Sequence, residues 1–330
     1  MDIIPSGLDI LFLILGFVFL VKGADYFVDG SAAAAKRYRV PPIIIGLTIV
    51  AMGTSLPEMA VSSTASIAAN NELAISNAIG SNIFNLMVVI GICATMTAVK
   101  VGDETIKRDI PFSAICVILL FCLGITNIGD QTTMSVNRVD GLILIAIFAI
   151  YILSMIQTAY RDVKEGRDLN IEGLDDINNS STMSLKKSLI YIIGGCIAIA
   201  FGGDITVRSA TNIAVSLGMS QTLVGLTICS VGTSLPELVT SIVAARKHEE
   251  DIALGNAIGS NVFNILFVLG IASMLSPINF IGQNLIDIAV LLVFTLIVWL
   301  MAYTMKTILR LEGVIMLILY GVYFAYIVCR

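Results

Sequence analysis

Hydrophobic positions in this chain come in long blocks separated by short polar stretches. Ten blocks approach the roughly 20 residues that cross a bilayer as a helix. They run over about residues 8–28, 41–69, 73–96, 110–128, 139–160, 185–207, 221–245, 252–275, 285–304 and 311–329. Ten helices use most of the 330 residues, which leaves no room for a sizeable soluble domain. The pattern predicts an all-α integral membrane protein with ten transmembrane helices. The amino end carries no basic stretch, so the first block reads as a retained helix and not a cleaved signal.

The second block contains an interruption that apolar helices avoid. Residues 53–58 read Gly-Thr-Ser-Leu-Pro-Glu, and the same six letters return at 232–237. A shift of 179 residues aligns 43–91 with 222–270 without a gap, and 23 of the 49 positions are identical. The match extends weakly backwards, with Asp25 on Asp204 and Gly23 on Gly202. The chain therefore reads as two five-helix halves, 1–160 and 185–330, joined by a linker over 161–184. Five is odd, so the second half must thread the membrane in the opposite sense. Inverted repeats whose helices break at matching positions are the pattern of secondary transporters with a midplane site. A duplication kept for packing alone would explain the glycines but not two intramembrane glutamates.

Helices 2 and 7 are expected to break at Pro57 and Pro236. Pro57 has no N–H, so the carbonyl of Gly53 loses its helical donor. In lipid such backbone survives only where it is buried or lines a cavity. Thr54 and Ser55 stand three and four positions before Glu58, on one helix face. The product is a carboxylate, two hydroxyls and freed carbonyls that include Ala51. The second copy supplies Thr233, Ser234, Glu237 and the backbone around Ser230. In each following helix a polar stripe runs at i, i+4, i+8: Asn77, Ser81 and Asn85, then Asn256, Ser260 and Asn264. Gly80 and Gly259 in these helices allow close helix approach. Asn77 and Asn256 read first as caps for broken backbone and second as ligands.

Such hard oxygen donors, without thiolate or imidazole, suit Ca²⁺ better than zinc or copper; Mg²⁺ dehydrates too reluctantly. Two ionised glutamates neutralise one Ca²⁺. Without it they repel each other, so at least one holds a proton or Na⁺. A site better occupied than empty suits obligatory exchange. The blander alternative is that the two glutamates merely satisfy each other's helix breaks, and that the hydroxyls and asparagines are interhelical glue.

Composition agrees, with 57% hydrophobic and 13% charged residues and a mean hydropathy of +0.94. Of 19 Lys and Arg, 15 fall in the loops after the odd-numbered helices. By the positive-inside rule those loops are cytoplasmic and both termini lie outside the cell membrane. The six cysteines form no CxxC pair and read as packing. The lone His248 sits in a polar turn and offers no basis for catalysis. Asp168, Glu172, Asp175 and Asp176 of the linker read as a solvated acidic run.

At these residues the chain resembles the sodium/calcium exchanger branch of the cation/calcium antiporter superfamily. The two GTSLPE segments, each followed by SNAIGSN or GNAIGSN, match that family's paired alpha-repeats. The resemblance implies alternating access, with helices 2, 3, 7 and 8 forming the ion sites and helices 1 and 6 sliding. It implies Glu58 and Glu237 as shared ligands of Ca²⁺ and Na⁺. Thr54, Thr233, Ser55, Ser234, Ser81 and Ser260, with carbonyls near Ala51 and Ser230, would complete the sites. Asn85 and Asn264 would lie at the centre between the glutamates. Some family members, the K⁺-dependent branch among them, carry aspartate where this chain has Asn264. Its absence argues against K⁺ co-transport, so the resemblance implies Na⁺/Ca²⁺ antiport without K⁺. The proton-coupled branch carries a glutamate after Gly-Asn, absent here, which puts Ca²⁺/H⁺ antiport second. The short linker implies a bare, prokaryotic-type exchanger. It would work as a monomer, with the bilayer and the two ions as partners, no cofactor, no nucleic acid and no enzyme activity.

Two rivals come from other classes. The sequence FGGD at 201–204 and the related Asp25 suggest an intramembrane aspartyl protease. Arg208, four residues beyond Asp204, instead suggests an ion pair. A channel needs a continuous pore, and no segment resembles a filter loop.

Overall fold

The computed structural model describes residues 7–68, 70–126, 134–165, 183–218 and 230–329. In lipid a backbone must satisfy its own hydrogen bonds, and the apolar blocks do so as helices. They are α1 (Leu8–Tyr38), α2 (Pro42–Thr54), α3 (Leu56–Ile67), α4 (Leu73–Met96), α5 (Thr105–Ile125), α6 (Arg138–Arg161) and α7 (Leu185–Ser216). After them come α8 (Ser230–Thr233), α9 (Leu235–Arg246), α10 (Glu250–Leu275), α11 (Gly282–Met305) and α12 (Arg310–Cys329). Among the described residues eight helices are long and apolar enough to cross a membrane, or nine if the bent pair α2–α3 is one span. The seventh expected block, 221–245, falls partly outside the described residues, as do Cys229 and the linker's Asp168, Glu172, Asp175 and Asp176.

α1 and α7 are longer than hydropathy alone suggested, at 31 and 32 residues. Lys36 and Arg37, expected in a loop, occupy the last turn of α1. Length follows from packing, because the two helices lie antiparallel along each other. Gly16 meets Gly202, Gly23 meets Gly195, and Gly30 meets Ser188. A Cβ on Gly195 would sit 2.7 Å from the Gly23 carbonyl. Between helices in lipid, where apolar burial gives no driving force, close backbone contact of this kind holds the pair.

Two short antiparallel ribbons close the ends of the bundle. β1 (Val99–Lys100) pairs with β4 (Thr307–Ile308), and β2 (Ser135–Val136) with β3 (Ile278–Asn279). The first ties the end of α4 to the start of α12, and the second ties the end of α10 to the start of α6. Beneath them Gly91 abuts Gly313, and Gly141 abuts Gly270. No strand was expected from the sequence.

Ion pairs attach α1 to the turn between α9 and α10. Lys247 Nζ lies 2.8 Å from Asp29 Oδ1 and 3.3 Å from Asp25 Oδ1, and donates to the Asp25 carbonyl. Lys36 reaches Glu249 at 3.6 Å. Asp204, the residue that matches Asp25, pairs within its own helix with Arg208 at 2.8 Å. The two aspartates behind the protease reading are thus each committed to a separate basic partner. Cys93 and Cys116 are buried as expected of packing cysteines, whereas Cys122 and Cys329 lie on the exposed face.

Candidate cation-binding site

The break in the first half falls at Ser55, two residues ahead of the proline. Ser55 adopts φ −86°, ψ 11°, and Pro57 sits in the first turn of α3, where its missing N–H costs nothing. The two arms bend by 48°. Ser234 repeats the conformation at φ −91°, ψ 4° between α8 and α9. Gly53 O, in the last turn before the break, accepts from the Cys196 thiol of α7 at 3.6 Å. One cysteine read as packing therefore also serves the broken backbone.

The bends bring Glu58 and Glu237 together. Both are fully buried, and each accepts from the serine at the other half's break. Each carboxylate is bound on one oxygen by a serine from either half. Glu58 Oε1 accepts from Ser81 at 3.3 Å and Ser234 at 3.2 Å. Glu237 Oε1 accepts from Ser260 at 3.4 Å and Ser55 at 2.7 Å. The partners are interchanged by the 179-residue shift. The other oxygens, Glu58 Oε2 and Glu237 Oε2, are buried without a hydrogen-bond partner. Among the described residues no Lys, Arg or His pairs with either carboxylate.

The flanking asparagines brace the break. Asn77 Nδ2 donates to the Glu58 carbonyl at 3.3 Å and to Ser62 at 3.0 Å, and its Oδ1 accepts from Thr233. Asn256 Nδ2 donates to the Glu237 carbonyl at 3.2 Å and to Ser241 at 2.9 Å, and its Oδ1 accepts from Thr54 at 2.9 Å. Both amides are thus spent on helix repair. The Ala51 carbonyl, expected to be freed, instead keeps a backbone donor because the break comes after it. It accepts from the Ser55 N–H at 3.1 Å, and Ser260 Oγ and Thr54 Oγ1 lie beside it at 3.4 and 3.3 Å. Ser230 begins α8, directly after residues outside the description, and its side chain is not among those described.

Asn85 and Asn264 end this face one turn beyond Ser81 and Ser260. Both are fully buried, and the Oδ1 of each has no hydrogen-bond partner. At both residues the α-helix widens into a π-turn, Asn85–Val89 and Asn264–Val268. Such turns recur at functional sites, and hydropathy carries no sign of them. Sequence reasoning also passed over Asn82 and Asn261, which stand next to the chosen serines. It passed over Thr240 as well, whose Oγ1 is buried one turn beyond Glu237. The pairing of SN in both copies of the repeat was the available signal for the two asparagines.

Two carboxylates and two amides thus leave four buried oxygens without donors. This is an oxygen-only set with two negative charges, fitted to a hard cation of charge +2 or two of charge +1. A family model described as sodium/calcium exchanger protein matches residues 8–157 and 187–329. The sodium/calcium exchanger MaX1 of Methanosarcina acetivorans is 31% identical, over 94% of this chain and 95% of its own length. The inner membrane protein YrbG of Escherichia coli is 31% identical over 87% of each chain. The solved structure of the sodium-calcium exchanger NCX_Mj soaked with Na⁺ and Sr²⁺ superposes with a TM-score of 0.82 and 31% identity, covering 96% of this chain and 98% of that one.

Proposed function

Because this chain belongs to the sodium/calcium exchanger protein family, we propose that it is a secondary antiporter exchanging Na⁺ for Ca²⁺ without K⁺. The observation that carries the reading is the set of buried, undonated oxygens on Glu58, Glu237, Asn85 and Asn264. Burying two like charges with no cationic side chain costs several kcal/mol per ion. A bound cation removes that cost, so emptying the site without refilling it is uphill. One ion then leaves as another enters.

In this reading Glu58 and Glu237 ligate both ions. The hydroxyls of Thr54, Ser55, Ser81, Thr233, Ser234 and Ser260 and the carbonyls of Ala51 and Ser230 complete the coordination as the cation draws them off their present partners. Neutral Asn264 gives the centre one charge fewer than an aspartate would, which disfavours an added K⁺. Ten spans form two oppositely threaded halves, 1–160 and 185–330, with the linker 161–184 and the basic loops in the cytoplasm. Both termini lie outside the cell membrane, and one chain suffices.

Alternating access requires a part that moves. The ribbons strap α4, α6, α10 and α12 together, whereas α1 and α7 pack mainly on each other. This supports movement of the α1–α7 pair across the strapped bundle.

Uptake of ⁴⁵Ca²⁺ into proteoliposomes, driven in turn by outward Na⁺, K⁺ and H⁺ gradients, tests the reading. Na⁺ drives uptake, and K⁺ and H⁺ do not. Uptake driven by H⁺ with Na⁺ absent would make the protein a Ca²⁺/H⁺ antiporter, and passive flux would make it a channel.

The tie between Lys247 and Asp25 and Asp29 has no mirror image, since the 179-residue shift puts Ala68 and Arg208 at the positions of Lys247 and Asp29. It therefore favours the state in which α1 stays on the α9–α10 turn. A partly exposed pair is worth about 0.2–1 kcal/mol. Lys247→Met is expected to shift the ratio of Ca²⁺ half-saturation measured from the two faces of oriented vesicles by up to about fivefold. An unchanged ratio would show that the tie does not bias the two states.

A further inference from the structure

Beyond the side chains that face the glutamates, four asparagines form a closed set of hydrogen bonds between α4 and α10. Asn82 Nδ2 donates to the backbone carbonyl of Asn261, and Asn261 Nδ2 donates to the backbone carbonyl of Asn82, each at 3.1 Å. A backbone carbonyl can only accept, so both amides have one allowed orientation. Their Oδ1 atoms are then fixed as acceptors. Asn82 Oδ1 accepts from Asn264 Nδ2 at 3.0 Å, and Asn261 Oδ1 accepts from Asn85 Nδ2 at 3.3 Å. That orients the second pair in turn, and leaves Asn264 Oδ1 and Asn85 Oδ1 as the undonated atoms. Every residue of the set is buried, at 1% exposure or less. Orientation thus passes from two backbone carbonyls, through two amides, to two oxygens on the face that carries Ser81 to Glu58 and Ser260 to Glu237.

We propose that Asn82 and Asn261 are positioning residues that hold the amide oxygens of Asn264 and Asn85 towards the cation. We further propose that Asn82 makes the centre selective for an amide over a carboxylate at position 264. This rests on the cation site proposed above and adds to it residues that touch no ion. The physical reason is the fixed acceptor. If Asn82 cannot turn, a carboxylate at 264 would set oxygen against oxygen where an N–H now lies. Turning Asn82 relieves that clash only by pressing Asn82 Oδ1 against the Asn261 carbonyl. While Asn82 stays in place, Asn264→Asp therefore carries a misfit that the parent lacks. A hydroxyl at 82 is not bound to one role, because it accepts from an amide and donates to a carboxylate equally well.

Ca²⁺ titration calorimetry on the purified protein at one fixed pH tests this without reference to the coupling ion. The parent binds Ca²⁺ and Glu58→Gln does not; failure there would sink the cation site itself, and this inference with it. With the site established, Asn82→Ser weakens Ca²⁺ about tenfold, because the Asn264 amide can now turn its NH₂ inward. Asn264→Asp weakens Ca²⁺ as well, and the double variant Asn82→Ser/Asn264→Asp binds it more tightly than either single variant, a rescue that loss of packing cannot produce. Additive losses would overturn the assignment. If Asn82→Ser does not yield monodisperse protein, Asn261→Ser with Asn85→Asp poses the same question through the other arm.

Discussion

Replacing Glu58 or Glu237 with glutamine abolishes Ca²⁺ exchange while leaving the protein folded. Glutamine keeps the shape and an oxygen for Ser81 and Ser234, or for Ser260 and Ser55, so the serine contacts survive. What disappears is half the charge that faces the ion. Removing one partner from a buried ionic contact costs about 3–5 kcal/mol, which is a loss of roughly two to four decades in Ca²⁺ affinity. ⁴⁵Ca²⁺ uptake by either variant should fall to the background of empty liposomes. The double variant gives a sharper result. With both charges gone, melting in Ca²⁺-free, Na⁺-free buffer is expected at or above the parent temperature, since a buried repulsion has been removed. Added Ca²⁺ then raises the parent's melting temperature and not that of the variant. Uptake at the parental rate by either single variant would show that the glutamates do not hold the ion.

Gly259→Ala is expected to be among the most damaging substitutions that change no charge. A Cβ there would lie 2.5 Å from the Leu47 carbonyl oxygen, 2.7 Å from Leu47 Cα and 2.8 Å from Ala51 Cβ. These are backbone atoms and a short side chain, so no rotamer change makes room. α2 must move away from α10, at about 1–3 kcal/mol or more. The same movement displaces the Ala51 carbonyl and, through Thr54, the brace to Asn256. Thermal unfolding and Ca²⁺ affinity should therefore fall together. Gly194→Ala is the control, because nothing lies within 4 Å of a Cβ at that position. Equal melting temperatures for the two variants would show that α2 and α10 pack less tightly than described.

Much of this architecture is legible in the letters because lipid leaves the backbone few options. Ten long apolar blocks are strong signals, and a proline with a glutamate inside two of them marks where regular helix must fail. The Asn77, Ser81, Asn85 stripe and its copy are likewise visible as helical spacing. Other features depend on contacts that only the folded chain defines. The break lies at Ser55, since proline is comfortable in the first turn of α3 and the preceding residue absorbs the bend. The length of α1 and α7 comes from glycines that meet across two helices, which hydropathy in one helix does not register. The π-turns at Asn85 and Asn264 have no sequence period of their own. Asn82 and Asn261 were passed over because a stripe argument follows one face of one helix. Their partners lie 179 residues away on another helix.

The most direct test is an anomalous-difference map from crystals soaked in Sr²⁺, a heavier stand-in for Ca²⁺. The account predicts a peak within about 3 Å of both Glu58 Oε2 and Glu237 Oε2, displaced when the crystals are transferred to high Na⁺. A strong peak elsewhere in the bundle, with the two carboxylates left bare, would contradict it.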